Sequence, residues 1–308
     1  MRLLAWVLAM GFVLGGFTAA EAKTAPAGTP PAPAPPVEVT ADQTLEWYQD
    51  QSIYVARGNA KAVRGDLTVY GDTLTAHERE KPKDANGKVI KTPKPPANQK
   101  SAASSSSSDE SGDIDRMTAD GHVLILKPNT RITGEHAVDD TDKHVIVVTG
   151  NNLRYETDKQ VVTARDTLEY WDETKIAVAR GHAIAVKGDR HVEGDVLTAE
   201  FRDQPNGANQ LYKMTAVGNV TVITKSDITR GDQAVYDAAR DIAIVTGHVR
   251  ITRPDGTQLT GDVGESDFTN NQSRLLNGGS GRVRALLPAK TTDKASTTKT
   301  PDAKGETQ

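Results

Sequence analysis

The chain has 308 residues, a net charge of −4 and no cysteine. The near-neutral charge provides no basic stripe for nucleic acid. The lack of cysteine excludes disulfides, thiol catalysis and a lipobox anchor.

The first 36 residues carry the features of an export signal followed by a linker. Arg2 precedes an apolar run from Leu3 to Phe17, and Ala20-Glu21-Ala22 offers a cleavage site. The run is shorter than the ~20 residues of a spanning helix, although an uncleaved anchor is the alternative reading. We expect a signal peptide over residues 1–22, an extended Ala/Pro linker over 23–36, and a periplasmic protein exported with signal cleavage.

A long internal repeat follows, because Val162 to Asp203 matches Val39 to Glu80 without a gap. A shorter unit lies beneath this duplication, in which a glycine is followed by Asn or His and then Val or Ala. Glycine allows the positive φ that a sharp corner requires. These corner glycines are Gly58, Gly121, Gly181, Gly218 and Gly247. Each unit ends at a second glycine followed by Asp or Glu: Gly71, Gly134, Gly194, Gly231 and Gly261.

The alternation of apolar and polar residues predicts an all-β domain over residues 37–290, made by stacking one unit. A Lys/Pro/Ser-rich insertion over residues 81–113 is expected to be disordered, and a polar tail over residues 291–308 is expected to be flexible. The alternation also predicts an inward apolar face, which forms either a solid sandwich core or the wall of an apolar groove. The alternation alone favours the ordinary solid core, whereas several small residues on this face shift the balance slightly toward a cavity. The groove residues we predict are Ile53, Val55, Ala60, Ala62, Val69, Leu74, Ile176, Val178, Ala183, Ala185, Val192, Leu197, Val220, Val222, Ile242 and Ile244.

The polar residues of the repeat do not form a pattern typical of catalysis. His122, His182 and His248 stand where Asn occurs in other copies, which indicates turn residues rather than ligands. The acids after the second glycines are expected to cap turns, with calcium binding as the weaker alternative. We find no hydrolase, phosphate-loop or metalloprotease motif. We therefore expect no enzyme activity, no cofactor and no metal site.

The signal peptide, the VTAD opening, the G-[NH]-[VA] strands and the GDxLTA endings together resemble the OstA-like (LptA-like) family of periplasmic lipopolysaccharide-transport proteins. Asp42 to Ala76 is similar to the opening block of that family, and Thr246 to Val249 to its second block. Gly281 to Lys294 resembles its closing strand. The chain is longer than a minimal member and has more G-[NH]-[VA] units than usual.

The resemblance implies an elongated open β-jellyroll of stacked antiparallel strands, possibly as two tandem modules. It implies a lipopolysaccharide-binding bridge that shields lipid A acyl chains between the inner and outer membranes. The implied partners are lipopolysaccharide, the anchored inner-membrane and outer-membrane components of the export machinery, and further copies joined head to tail. A structural β-repeat scaffold of the cell envelope with a solid core, or a carbohydrate-active enzyme on a β-helix, remains an alternative reading of the same residues.

Overall fold

The computed structural model describes residues 37–79, 114–204, 209–270, 272–279 and 282–288. The predicted signal peptide (1–22), linker (23–36), insertion (81–113) and tail (291–308) lie outside these ranges. Among the described residues, no helix has the length and hydropathy needed to span a membrane.

The described part of the chain is built from antiparallel β-strands, with one 3-10 turn at Gln49–Gln51. In chain order the strands are β1 (Glu38–Thr40), β2 (Thr44–Tyr48), β3 (Ile53–Arg64), β4 (Leu67–Glu78), β5 (Ile114–Lys127), β6 (Thr130–Asp140), β7 (Val145–Thr149), β8 (Leu153–Thr157), β9 (Val161–Ala164), β10 (Thr167–Trp171), β11 (Ile176–Lys187), β12 (Arg190–Asp203), β13 (Asn209–Ile223), β14 (Ile228–Asp237), β15 (Ile242–Thr252), β16 (Gln258–Asp267), β17 (Gln272–Leu276) and β18 (Arg284–Leu286).

The strands pair with their neighbours in the chain and form one continuous stack. The long strands β3 to β6 pair in series, as do β11 to β16. Elsewhere two short strands pair with the two halves of one long strand. Thus β7 and β8 both pair with β6, while β9 and β10 both pair with β11. At the ends of the stack, β1 and β2 pair with β3, and β17 and β18 pair with β16. The fold is the elongated, stacked antiparallel jellyroll that the sequence predicts.

Each long strand bends at its glycine corner, where the pairing register shifts. In β3 the shift lies between Arg57 and Ala60, and in β15 between Thr246 and Val249. These bends divide the stack into two layers. Layer 1 contains β2, β7, β10, β17 and the half-strands that pair with them; layer 2 contains β1, β8, β9, β18 and the remaining half-strands.

The corner acids have a structural role that explains why they recur. Gly247 has φ +77°, and a Cβ there would lie 2.2 Å from an oxygen of Asp232 on the neighbouring strand. His248 also has positive φ, and its Nδ1 lies 2.8 Å from Asp232 Oδ2. The histidines predicted to be turn residues, His122, His182 and His248, lie at corners inside β5, β11 and β15, and all three have φ of +47° or +48°. Each acid contacts the corner of an adjacent strand, so it holds two strands together rather than capping its own turn.

The two layers enclose an apolar space that opens opposite the corners. A core cluster of residues from both layers lies along the corners and includes Leu153, Ala183, Leu197, Val220 and Ile251. The opposite side of the space lies between two rows of turns. We call the turns at 49–52, 141–144, 172–175 and 238–241 lip 1, at the free edge of layer 1. We call the turns at 65–66, 128–129, 188–189 and 224–227 lip 2, at the free edge of layer 2.

Candidate functional site

Three apolar cavities lie in series between the layers and together form a groove. The N-terminal cavity has a volume of about 410 Å³ and is lined by residues of strands β1 to β7. A central cavity of about 140 Å³ and a C-terminal cavity of about 120 Å³ continue the space. Met214 lies in the walls of both smaller cavities. The space between the layers is therefore only partly filled by side chains.

One row of cross-strand neighbours in layer 1 faces this groove along most of its length. We call it the inner row. In order along the stack it contains Tyr54, Ala76, Met117, Asp139, Ile146, Tyr170, Ala177, Ala199, Met214, Tyr236 and Ala243. Asp139 is the one acid in this row.

Asp139 is a carboxyl group buried in the wall of the N-terminal cavity. Its residue is 4% exposed, and Oδ2 has no hydrogen-bond partner. Burial, with a smaller contribution from the neighbouring Asp140, raises the pKa of Asp139 to about 7. The adjacent Asp140 has the opposite environment, because Lys143 and Arg116 lower its pKa despite partial burial. A neutral Asp139 can donate a hydrogen bond into the cavity.

Arg64 is the second charged group with a buried, unpaired atom in this cavity. It ends β3 at lip 2, on the same face as Ala60 and Ala62, and its Nε has no partner. The rest of the wall is mostly apolar and includes Leu67, Met117 and Ile146. Arg64 and Asp139 thus place one buried polar atom without a partner near each lip.

A polar cluster bridges the two lips beside the C-terminal cavity. Arg190 on lip 2 donates two hydrogen bonds to Asp241 on lip 1, at 2.9 and 3.2 Å. The hydroxyl of Tyr236 donates to the same carboxylate at 2.7 Å, and the Arg190 guanidinium lies 4.1 Å from the centre of the Phe268 ring. We call these four residues the clasp.

The clasp sets the charge state of its own members. Partial burial alone would raise the pKa of Asp241, but the hydrogen bonds from Arg190 and Tyr236 outweigh this and lower it. Burial and Asp241 raise the pKa of Tyr236 to about 12. Burial, together with the cations of Arg190 and Lys159, lowers the pKa of Lys187 beside the clasp. The clasp is therefore an ion pair at neutral pH, with a neutral tyrosine.

Most of the predicted groove residues lie on the inner side of the two layers. Ala60, Ala183 and Val220 are fully buried at the corners. The other members of this group line the cavities: Ala62, Val69, Leu74, Ala185, Val192, Leu197 and Val222. Val55 and Val178 also contribute to cavity walls, although they alternate with the buried alanines Ala56 and Ala179.

Four of the predicted groove residues, all before the corners, lie outside the cavity walls. Ile53, Ile176, Ile242 and Ile244 border none of the three cavities. The inward residues in these half-strands are Tyr54, Ala177, Ala243 and Val245. At each G-[NH] corner, two consecutive residues with positive φ lie opposite a single acid of the neighbouring strand. Because of this bulge, the alternation of inward and outward side chains continues unchanged through the corner of the G-[NH] strand.

Sequence reasoning missed the charged residues of the groove and one corner. Arg64 could have been found by continuing the alternation from Ala60 and Ala62. Asp139 and the clasp give no comparable signal, because acids and arginines are common in turns. The missed corner is Gly150-Asn151, between β7 and β8, where the Asn151 side chain donates to Glu135 at 2.8 Å.

Comparison with known proteins identifies the family. The family model described as "LptA/(LptD N-terminal domain) LPS transport protein" matches residues 38–166 and 162–269. A search of curated proteins finds no match. Among solved structures, the chain is similar to LptH from Pseudomonas aeruginosa, described as the LptA homologous periplasmic component of the lipopolysaccharide transport device. The identity is 19% and the TM-score 0.36, over 42% of this chain and 95% of that one. Because the two family matches together cover most of the chain, the protein belongs to the LptA/LptD N-terminal domain family of lipopolysaccharide-transport proteins.

Proposed function

We propose that the protein is a periplasmic bridge that carries lipopolysaccharide, with the acyl chains of lipid A held in the groove between the two layers. The observation that carries this proposal is the series of apolar cavities in a member of a lipopolysaccharide-transport family. Exposing acyl chains to water costs about 0.8 kcal/mol per CH₂. A continuous apolar groove reduces that cost along the path between two membranes. The cavities count against the alternative of a scaffold with a solid core.

Photo-crosslinking in living cells tests the lipid and the groove together. A photoreactive residue replaces Met117 in the N-terminal cavity or Met214 in the smaller cavities. The matched controls are the next residues on the same strands, Arg116 and Thr215, which alternate to the outer face. Lipopolysaccharide adducts at the two methionine positions, and not at the controls, are the expected result. A well-expressed protein without adducts at either methionine position would favour the solid-core scaffold.

The two ends of the stack support the bridging part of the proposal. The edge strands β1 and β2 pair on one side only within the described residues, as do β17 and β18. Large apolar side chains are exposed at both ends, including Leu45 at 63% and Leu286 at 65%. An unpaired edge with apolar side chains is a surface to which another strand can add. We propose that these ends join copies of the protein to one another and to the membrane components of the export machinery.

Self-association gives a direct test of the ends. Leu45→Asp and Leu286→Asp should each shift the protein toward the monomer in sedimentation experiments. Val217→Asp is the matched control, because Val217 is 48% exposed but lies away from both ends. Equal effects of all three substitutions would indicate general surface hydrophobicity, and the head-to-tail arrangement would then be wrong.

A further inference from the structure

Two buried polar atoms without partners face the same apolar cavity. They are Arg64 Nε and Asp139 Oδ2, near lip 2 and lip 1 respectively. Buried polar atoms in folded proteins nearly always have partners, because an unpaired one costs desolvation energy. Two of them in a cavity wall that is otherwise mostly apolar indicate polar groups on the molecule that fills the cavity.

We propose that Arg64 and Asp139 bind the polar part of a phosphorylated, multi-chain glycolipid, where the acyl chains join the sugar. In this arrangement Arg64 binds a phosphate, and Asp139 forms a hydrogen bond with a hydroxyl or amide group at the head of an acyl chain. The proposal rests on the proposed function, since it assigns residues to lipid A within the same groove.

The chemistry of each residue fits its assigned group. A guanidinium presents parallel N–H donors that match the oxygens of a phosphate. Asp139 lies among Met117, Ile146 and other apolar neighbours, where a protonated carboxyl is favoured. A protonated carboxyl can both donate to and accept from a hydroxyl or an amide.

The position of the two residues also orients the ligand. Both lie near the lips, whereas Ala119 and Ala137 line the corner side of the groove. A ligand held at the lips by its phosphate and its acyl-chain heads directs its chains toward the corners. The sugar then lies at the opening between the lips, where it remains hydrated.

Equilibrium binding of the full chain to two forms of lipid A separates the two contacts. The probes are purified lipid A and the same lipid after removal of its phosphates. We expect Arg64→Gln to weaken binding of the phosphorylated form about tenfold, as for loss of a charge-assisted hydrogen bond, and to leave the other form unchanged. Arg64→Lys should restore part of the affinity. Arg131→Gln, an exposed site on β6, is the matched control.

Two substitutions test Asp139 with the same probes. Asp139→Asn keeps a hydrogen-bonding group of the same shape and should bind within about twofold of the wild type. Asp139→Leu removes the hydrogen bond and should weaken both forms of lipid A about fivefold or more. Phosphatidic acid has a phosphate but lacks the amide and hydroxyl groups, so its binding should depend on Arg64 and not on Asp139.

The outcomes distinguish this proposal from the proposed function. If the wild type binds lipid A but Arg64→Gln binds the phosphorylated form as tightly as the wild type does, or Asp139→Leu binds like the wild type, the assigned contacts are wrong, although the groove can still be a lipid site. If the wild type binds neither form and gives no adducts at Met117 or Met214, the groove itself is not a lipid site. Thermal unfolding of every variant shows that a loss of binding is not a loss of folding.

Discussion

The two halves of the stack have the same backbone plan but differ at the opening between the lips. Arg190 of the second copy stands where the first copy has Leu67. Asp139 lies in the inner row on β6, the second strand after the first copy of the repeat. Tyr236 has the equivalent position on β14, the second strand after the second copy. In the C-terminal half, Arg190 and Tyr236 both bind Asp241 and close the lips. Within the described part of the N-terminal half, no ion pair joins the lips.

The comparison shows that lip residues differ between the two halves, while the corners keep the scaffold constant. The cavity behind the clasp measures about 120 Å³, and the cavity in the half without a clasp measures about 410 Å³. Corner glycines recur in both halves with similar angles, as at Gly58 and Gly181, both with φ +84°. The half whose lips are not bridged therefore contains the larger of these two cavities.

The largest effect is expected from Asp139, whose unpaired carboxyl destabilises the free protein. Its pKa rises from 3.8 to about 7 on folding, so between these values the folded state binds more protons than the unfolded state. The free energy of unfolding therefore falls as pH rises through that window, by up to about 4 kcal/mol. Asp139→Leu should remove this loss and be more stable than the wild type at about pH 8, as measured by urea unfolding.

Asp140→Asn is the matched control on the next residue. Lys143, by hydrogen bonding, lowers the pKa of Asp140, so its carboxylate stabilises the fold at neutral pH and the substitution should destabilise it. Opposite effects on stability at adjacent positions would sharpen the contrast between the unpaired carboxyl of Asp139 and the paired carboxylate of Asp140. If Asp139→Leu lowered stability at about pH 8, Asp139 would have a structural partner and the ligand contact would lose its basis.

The second prediction breaks the clasp by replacing Arg190 with leucine, the residue at the equivalent position 67 of the first copy. Arg190→Leu should lower the free energy of unfolding by about 1–2 kcal/mol, because two charge-assisted hydrogen bonds are lost from a pair that water partly screens. It should also increase lipopolysaccharide crosslinking at Met214. Arg240→Leu is the control, since Arg240 pairs with Asp237 inside one turn and does not cross the lips.

Acid unfolding provides a further check on the clasp. The lowered pKa of Asp241 means that the clasp contributes fully above the unfolded pKa of about 4 and is lost as pH falls through the lower folded value. The free energy of unfolding of Arg190→Leu should therefore depend less on pH in this acidic range than that of the wild type. Unchanged crosslinking at Met214 together with unchanged acid sensitivity would show that the clasp does not close the groove.

The architecture could be predicted from the sequence because it depends on local signals that repeat. Glycine corners and the two-residue period leave the same mark in every copy, and together with the resemblance to a known family they indicated a stacked jellyroll. Which side chains face inward before the corners could not be predicted, because this depends on how many residues each strand contributes to a bulge. Ile244 and Val245 are equally apolar, and only the pairing shows that Val245 faces the core.

The polar residues of the groove were beyond sequence reasoning for a different reason. Arg190 and Asp241 are far apart in the chain and meet only because the two lips face each other. Nothing local distinguishes Asp139, which has an unpaired oxygen, from Asp140, which is paired with Lys143. Features that arise from the closure of the two layers become visible only once the register of every strand is known.

The smallest effect is expected from Tyr236, the residue that replaces Asp139 in the closed half. Tyr236→Phe keeps the ring beside Phe268 and removes only the 2.7 Å hydrogen bond to Asp241, so stability should fall by about 0.5–1.5 kcal/mol. The loss should shrink when Arg190 is already leucine, because Asp241 is then free to turn toward water. If Tyr236→Phe lowered the free energy of unfolding by the same amount in the Arg190→Leu variant, Tyr236 would hold Asp241 independently of Arg190. The lips would then be closed by two separate contacts, and opening the C-terminal half would require removing both.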